Sequence, residues 1–510
     1  MRHLKSNINS AMKVIIIPVL WVLFLIDFAF GQENISLDNE VCGTQDLSEY
    51  ISGLETTNTI KTRANTVLFY PIKVFSVGND NGDGHMNALD IRESLCTLNE
   101  DFSSLNIQFY LSGEISRINN DDYYEHDLSD GYEMMRNFNN RNAFNIYIVE
   151  SPNGNCGYFN TSNPAVAVSK DCFAGGTHTL THEMGHFFGL SHTFYGWENR
   201  TYNADNVPRT LRIRGRDTLY TETVAGKHCE NASDGFCDTP PDYISERWNC
   251  DQDGLSLDSY IDPNGEEFKV DAKNFMSYSF NRCQEYFSEE QKAEMLSILE
   301  GEYENLQYEF VPGETLSGDI INAISPDENS DINYDQVRLQ WEPIPGVQEY
   351  IIQISRFNGV LFNNGLTVNL TTDGNQVDVD PNDLRLDTRY YWRIVPVNSF
   401  TFCTEPSQEY SFITREQTNI HQLPDGDKIN IFPNILSSGE QFINIKYELN
   451  STKEFDLQLF DLQGKLLQSK SEKITGDFHS RLEVYDLSSG MYVLTIRNGN
   501  KVISERIIVQ

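Results

Sequence analysis

The spacing of apolar residues changes character along this chain, and the changes divide it. "TVLFYPIKVFSV" (66–77) is an almost unbroken apolar run, as a strand covered on both faces requires. "IQFYLS", "NIYIVE" and "AVAVS" (165–169) are shorter runs of the same β-forming type. Between and after them, "NALDIRESLCTLNEDF" and "HTLTHEMGHFFGL" read as helices. Strands alternating with helices predict an α/β domain over 63–311. "SEEQKAEMLSILEGEYENL" (288–306) closes it as an amphipathic helix, with Ser288 as N-cap and acidic residues in the first turn. Residues 32–62 are polar and lack strong periodicity, which suits a leader or propeptide.

Beyond 312 the period becomes two. "QVRLQWEPIPGVQEYIIQISR" and "LRLDTRYYWRIVPVNSF" alternate inward and outward positions, with Trp341, Tyr350, Tyr390 and Trp392 available for a sandwich core. Leu384, Thr388 and Tyr390 have the spacing of a tyrosine corner, and residues 312–416 resemble a fibronectin type III domain. From 428 to 510 the chain is β-rich again and predicts a small second sandwich. Its "INIFPN" opening, Gly490-Met491-Tyr492 and terminal "IIVQ" resemble the C-terminal sorting domain of type IX secretion cargo, which implies the type IX machinery as a partner.

The N-terminus changes the picture of where the chain works. Lys13, an apolar run from Val14 to Phe30 broken by Asp27, and small residues at Ala29 and Gly31 have the order of a secretory signal peptide over 1–31. A membrane anchor fits less well, because the run is at the short end for a span. Translation from Met12 is also consistent with this order. No later stretch is apolar enough to span a bilayer, so the mature form is expected to be secreted or at the cell surface, without an integral membrane segment. A net charge of −37 argues against nucleic acid as a partner, since phosphate would be repelled. Nine cysteines behind an export signal point to disulfides, and the odd number leaves at least one thiol unpaired.

The candidate chemistry lies in "THEMGHFFGLSH" (181–192). On a helix, His182 and His186 stand four residues apart, on one face and one turn along. Both imidazoles can therefore reach one ion. Glu183 flanks the first ligand, where a carboxylate can serve as general base without ligating. Gly189 lets the chain leave the helix by a conformation that a Cβ disfavours, and the turn returns His192 as a third ligand. Three neutral nitrogens leave one position for water, which distinguishes a catalytic zinc site from a closed structural one.

H-E-x-x-H-x-x-G-x-x-H is the metzincin zinc signature, and "NFMSYS" supplies the Met-turn such proteins need, with Met276 as apolar floor and Tyr278 able to reach the metal or a developing oxyanion. "GFCDTPPDY" (235–243) and "NFMSYSFNRCQEYFSEEQ" make the region 66–300 resemble the pappalysins, also called cytophagalysins. That resemblance implies an α/β metzincin-like catalytic domain acting as a zinc endopeptidase on proteins and peptides, with Glu183 as general base. It also implies Ca2+ in the lower part of the domain, where Asp234, Asp238 and Thr239 fall in the matching loop. By the same resemblance Cys250 and Cys283 form a disulfide bracing the Met-turn. Arg282 falls where the wall of the S1′ pocket is expected, favouring acidic or polar substrate side chains. The edge strand near "AVAVS" is expected to pair with an extended substrate. The long link after His192, "TLRIRGRDTLYTETVAGKHCENAS", has the look of a hairpin.

Several signals stay open at this level. Cys42, in "EVCGTQ" of the leader, is placed to act as a zymogen switch by occupying the open zinc position; a disulfide to Cys96 with Cys403 as the spare is the alternative. Cys229 with Cys237 and Cys156 with Cys172 are further pairings. "NDNGDGHMNALD" (79–90) has part of a calcium-loop pattern, but Asp90 stands where a bidentate Glu belongs, so a turn capping the next helix is the better reading. The rival to an enzyme is a non-catalytic extracellular binding protein on a protease scaffold.

Overall fold

A strand apolar at every position must be covered on both faces, and Leu68–Gly78 (β1) is placed so. The computed structural model describes residues 42–44, 47–56, 67–213, 218–307, 316–359, 362, 367–415, 419–423, 426–432, 435–436, 442–484 and 487–509. The signal peptide and the first part of the leader lie outside the described residues.

Leu47 and the helix Ser48–Gly53 (α1) precede β1. Ala88–Asp101 (α2) follows it, capped by Asn87, whose side chain accepts from Asp90 N. The "NDNGDG" turn closes on Asn79 Oδ1, which accepts from the backbone N of Asn81 and of Asp83. Next come Ile107–Leu111 (β2), Ser116–Asn119 (β3), Leu128–Phe138 (α3), Phe144–Val149 (β4), Gly157–Asn160 (β5) and Ala165–Ser169 (β6). Thr179–Phe187 (α4) carries the histidine motif. Glu289–Gly301 (α5) opens on a capping box between Ser288 and Gln291.

The strands form one six-stranded sheet in the order β2-β1-β4-β6-β5, with β3 also paired to β1. All pairings are parallel except β5 against β6. "AVAVS" (β6) lies one strand in from the edge, with its five residues buried, and its neighbour β5 is the edge strand. One face of the sheet packs Ile72, Val74, Ile146 and Ile148 against Leu95 and Leu98 of α2, Met184 and Phe187 of α4 and Met295 of α5. The other packs Phe75, Val77 and Tyr147 against Met134 and Met135 of α3. The sheet is thus covered on both faces, with α4 held beside its β5 end.

The leader is better anchored than its polar composition suggests. Leu47 is buried in the core that α4 shares, and Tyr50 and Ile51 pack against it. The Tyr50 hydroxyl donates to Phe187 O, at 3.0 Å.

Residues 323–415 form two sheets, of three and five strands, closed on a shared core of Trp341, Tyr350, Tyr390 and Trp392. Tyr390 OH accepts from Arg385 N at 2.7 Å, the bond that defines a tyrosine corner. From 419 to 509 a four-stranded and a five-stranded sheet enclose a second core that includes Ile431, Ile445, Leu457, Leu494 and Ile507. The chain is multidomain and mostly β-strand. Among the described residues no helix is long and apolar enough to cross a membrane.

The middle sandwich grips the other edge of the α/β sheet. Leu111 N donates to Ser399 O at 2.9 Å and Gln108 Nε2 to Phe400 O at 2.7 Å, while the Phe400 ring stacks on Tyr110. Phe402 enters the α/β core, and the buried Arg92 donates to Asn398 O. Cys96 and Cys403 are joined, a bond spanning 307 residues, so neither is the partner or the spare that the alternative for Cys42 requires. The free edge strand that β2 would otherwise present is covered. Cutting the chain at a protease site engineered into 308–315 is expected to leave one band on a non-reducing gel and two after reduction. Fragments that part without reductant would contradict the bond between the domains.

Candidate metal centre and its leader

The geometry of α4 delivers its two histidines to one side. Nδ1 of His182 lies 2.7 Å from Phe275 O, and Nδ1 of His186 lies 2.7 Å from Leu190 O. A carbonyl can only accept, so each Nδ1 carries the proton and each Nε2 keeps its lone pair. His192 Nδ1 sits 3.5 Å from Glu198 Oε1. The Nε2 atoms of His186 and His192 face each other at 3.1 Å. His182 Nε2 is buried and has no hydrogen-bond partner among the described residues. Three imidazole nitrogens that converge, one of them orphaned in the interior, fit a bound divalent cation and suit zinc by donor type.

Two glycines make the convergence feasible. Gly189 has φ +85°, and a Cβ there would lie 2.6 Å from Ile298 Cδ1. The chain therefore turns sharply under α5 and brings His192 back. Gly185 lets Met276 in: a Cβ would meet its Sδ at 2.5 Å. Met276 is fully buried beneath the histidines, and the segment carrying it is braced by Asn274, which accepts from Met276 N and donates to Gln291.

Burial sets the charges. It pushes His182 down to about 3, with the charges of His192 and then Arg247 adding to the effect, and it pushes His186 well below the ordinary histidine value. Neutral imidazoles are the ligating form. Burial also raises the Glu183 carboxyl to about 7. Glu183 Oε1 is buried without a partner, while Oε2 accepts from Thr44 Oγ1 at 2.9 Å.

Thr44 and Cys42 belong to the leader, which the structure brings into the site. Cys42 Sγ lies 3.5 Å from His186 Nε2, and one ligand atom from each of Cys42, His182, His186 and His192 falls within 4.8 Å of all the others. Cys42 is the free cysteine of the chain; the other eight pair as 96–403, 156–172, 229–237 and 250–283. Gly43 N donates to Gly157 O at 2.8 Å, and Phe159 N to Thr44 Oγ1 at 2.8 Å, so the leader lies along edge strand β5. Tyr278 OH donates to Cys42 O at 3.1 Å.

The carboxylates behind the site are arranged differently from the sequence reading. Asp238 accepts from Ser288 Oγ and from Glu290 N, so both of its oxygens serve the start of α5. Thr239 Oγ1 donates to Asp234 Oδ1 at 3.0 Å. Asp234 Oδ2 is buried without a partner, and so are Glu222 Oε2 and Thr223 Oγ1. Burial raises Glu222 to about 10, with the charge of Asp234 adding to it, and raises Asp234 to about 8. Glu222 comes from the long link after His192, where no motif marked it; its signal is only an acidic residue in an otherwise hydroxyl-rich "YTET". Short strands Thr210–Leu211 and Leu219–Tyr220 pair there as the expected hairpin.

Arg282 is exposed and donates to Asn249 Oδ1 at 2.6 Å. It does not line the cleft next to the histidines. Arg247, Asn281 and Gln284 do.

The comparisons agree with this geometry. Residues 163–300 match the peptidase family described as pregnancy-associated plasma protein-A, and residues 430–510 match the secretion system C-terminal sorting domain. An extracellular metalloprotease of Neurospora crassa is 27% identical over 237 residues, 42% of this chain and 68% of its own. One of Podospora anserina is 26% identical over 273 residues, 49% of this chain and 78% of its own. The chicken CNTN1 FN1–FN3 domains align with a TM-score of 0.20 and 11% identity, over 40% of this chain and 70% of theirs, too loosely to bear on the fold. The terminal sandwich directs export through the type IX system. The chain thus carries a metalloprotease segment over 163–300, similar to that peptidase family, and a secretion-system sorting domain over 430–510.

Proposed function

We propose that this protein is a secreted zinc endopeptidase, held latent by its own leader. The observation that carries the reading is the meeting of three buried, neutral imidazoles beside the unligated carboxylate of Glu183. His182, His186 and His192 would hold the zinc, which when bound supplies a Lewis acid and lowers the pKa of water. Glu183 takes the proton of the attacking water and passes it to the departing amine. Its raised pKa suits a group that must accept and release within one turnover. Tyr278, whose hydroxyl now donates to a leader carbonyl, donates in the same way to the substrate carbonyl as charge builds on it. The edge strand β5 takes an extended substrate by backbone pairing, as it now takes Gly43.

The leader holds each of these groups out of use. Cys42, grouped with the three histidines, would hold the metal together with them, Thr44 occupies Glu183, and Gly43 fills the strand edge. Behind the site, the buried carboxyls of Glu222 and Asp234 each keep an oxygen without a partner among the described residues and act on each other electrostatically, a pair that would suit Ca2+. Two buried acids that act on each other are costly unless a cation offsets them. The middle sandwich, with its tyrosine corner, reads as a fibronectin type III-like module.

Glu183→Gln is expected to keep zinc at one equivalent by elemental analysis and to lower casein cleavage by about 10²–10⁴-fold; cleavage at the parental rate would remove Glu183 from the mechanism. In the precursor, Cys42→Ala should give proteolysis from the start, where the parent shows a lag. Identical time courses would argue against the thiol as switch. Adding Ca2+ to chelator-treated protein should raise its thermal midpoint, and Glu222→Gln should abolish that rise. A midpoint indifferent to Ca2+ would discard the pair as a site.

A further inference from the structure

A cleft opens beside the imidazoles, and its lining includes Thr179, Arg247, Asn281 and Gln284 together with His182 and Glu183. Thr179 lies three residues before His182, so the cleft runs along the first turn of α4. A side chain entering it belongs to the residue next to the bond that Glu183 helps to break. Among the described residues of this lining, Arg247 is the permanent cation, in a protein of net charge −37.

Arg247 is also held rigidly. Trp248 N donates to Tyr278 O at 3.2 Å and Phe280 N to Trp248 O at 2.8 Å, so the segment runs as a short parallel bridge against the Met-turn. Two residues on, Asn249 accepts from Arg282, and Cys250 is bonded to Cys283. The guanidinium itself lies 5.4 Å from the centre of the Phe280 ring. Arg282 is thereby a positioning residue for the segment on which Arg247 sits, and not a contact for substrate.

We infer that Arg247 determines specificity by receiving an acidic side chain that flanks the scissile bond, so that the substrates are proteins cut beside Asp or Glu. This rests on the endopeptidase reading above. A guanidinium presents paired donors that match a carboxylate, and the amides of Asn281 and Gln284 in the same lining add polar groups beside it. A lysine or arginine in the same cleft would face like charge.

The test profiles cleavage of a proteome-derived peptide library by the zinc-loaded secreted protein and by Arg247→Gln, Arg247→Glu and Arg282→Gln. The parent is expected to enrich Asp and Glu at one position flanking the cut. Arg247→Gln should lower kcat/KM for acidic peptides about tenfold or more, the size of one lost charge-assisted hydrogen bond, with little change for peptides that are neutral there. Arg247→Glu should reverse the preference towards Lys and Arg, a change that misfolding cannot produce. Arg282→Gln should keep the acidic preference, because the disulfide and the backbone bonds remain. Cleavage without acidic enrichment, or enrichment that survives Arg247→Glu, overturns the assignment of Arg247 alone. A parent that cuts nothing overturns the endopeptidase reading instead.

Discussion

The site depends on two hydrogen bonds that involve no catalytic atom. Phe275 O and Leu190 O each accept from a histidine Nδ1, and those bonds decide which nitrogen faces inward. Leu190 O is in position because the chain turns back at Gly189, and Phe275 O because the Met-turn passes under α4. Both supports come from outside the helix that carries the ligands. The sheet, α2 and α5 then hold α4 against that turn through the shared core of Leu95, Met184, Phe187 and Met295. A metal site of this kind is a property of the packed domain, and four residues of helical spacing supply only part of it.

On the proposed reading, the same dependence explains how a short leader would hold the whole centre latent. Cys42 and Thr44 alone would be weak, small competitors. Leu47, Tyr50 and Ile51 pack on the core a few residues later, which would raise the local concentration of the thiol at the histidines far above any free ligand. Two residues, 45 and 46, separate Thr44 from Leu47, so a chain cut there would part the anchor from the blocking groups. Tyr50 reaches Phe187 O, the residue that follows His186, so the anchor grips the very helix whose ligands are blocked.

What could be read from sequence was local. His182 and His186 are one helical turn apart in any helix, and β1 is apolar at every position whatever lies next to it. Pairings between distant segments were not legible. Nothing in "AVAVS" says that "GYFN" will lie outside it, and the choice between edge and interior turns on that. Asp238 falls in the loop that the resemblance matches to calcium, and both of its oxygens accept from Ser288 and Glu290, some fifty residues later, which no local pattern announces. Glu222 carries no motif of its own, and Asp234, whose charge acts on it, is remote in sequence. In the alternative pairing Cys403 was the spare, but the sandwich brings it to Cys96. Arg247 was not singled out, because a register of strand and turn, not distance along the chain, places it in the lining of the cleft.

The charge of the protein bears on all of this. With 75 acidic and 38 basic side chains, cations are the scarcer charge, and one at the wall of a recessed cleft is screened less by solvent and salt than one in the open. Behind the site burial favours the protonated forms of Glu222 and Asp234, whose carboxyls it raises to about 10 and about 8. The bond between Cys250 and Cys283 keeps the segment that carries Arg247 fixed to the turn that carries Met276. On the proposed reading, discrimination at the cleft and geometry at the metal would be set by one piece of structure, so a change that loosened the Met-turn would blur specificity and weaken metal binding together.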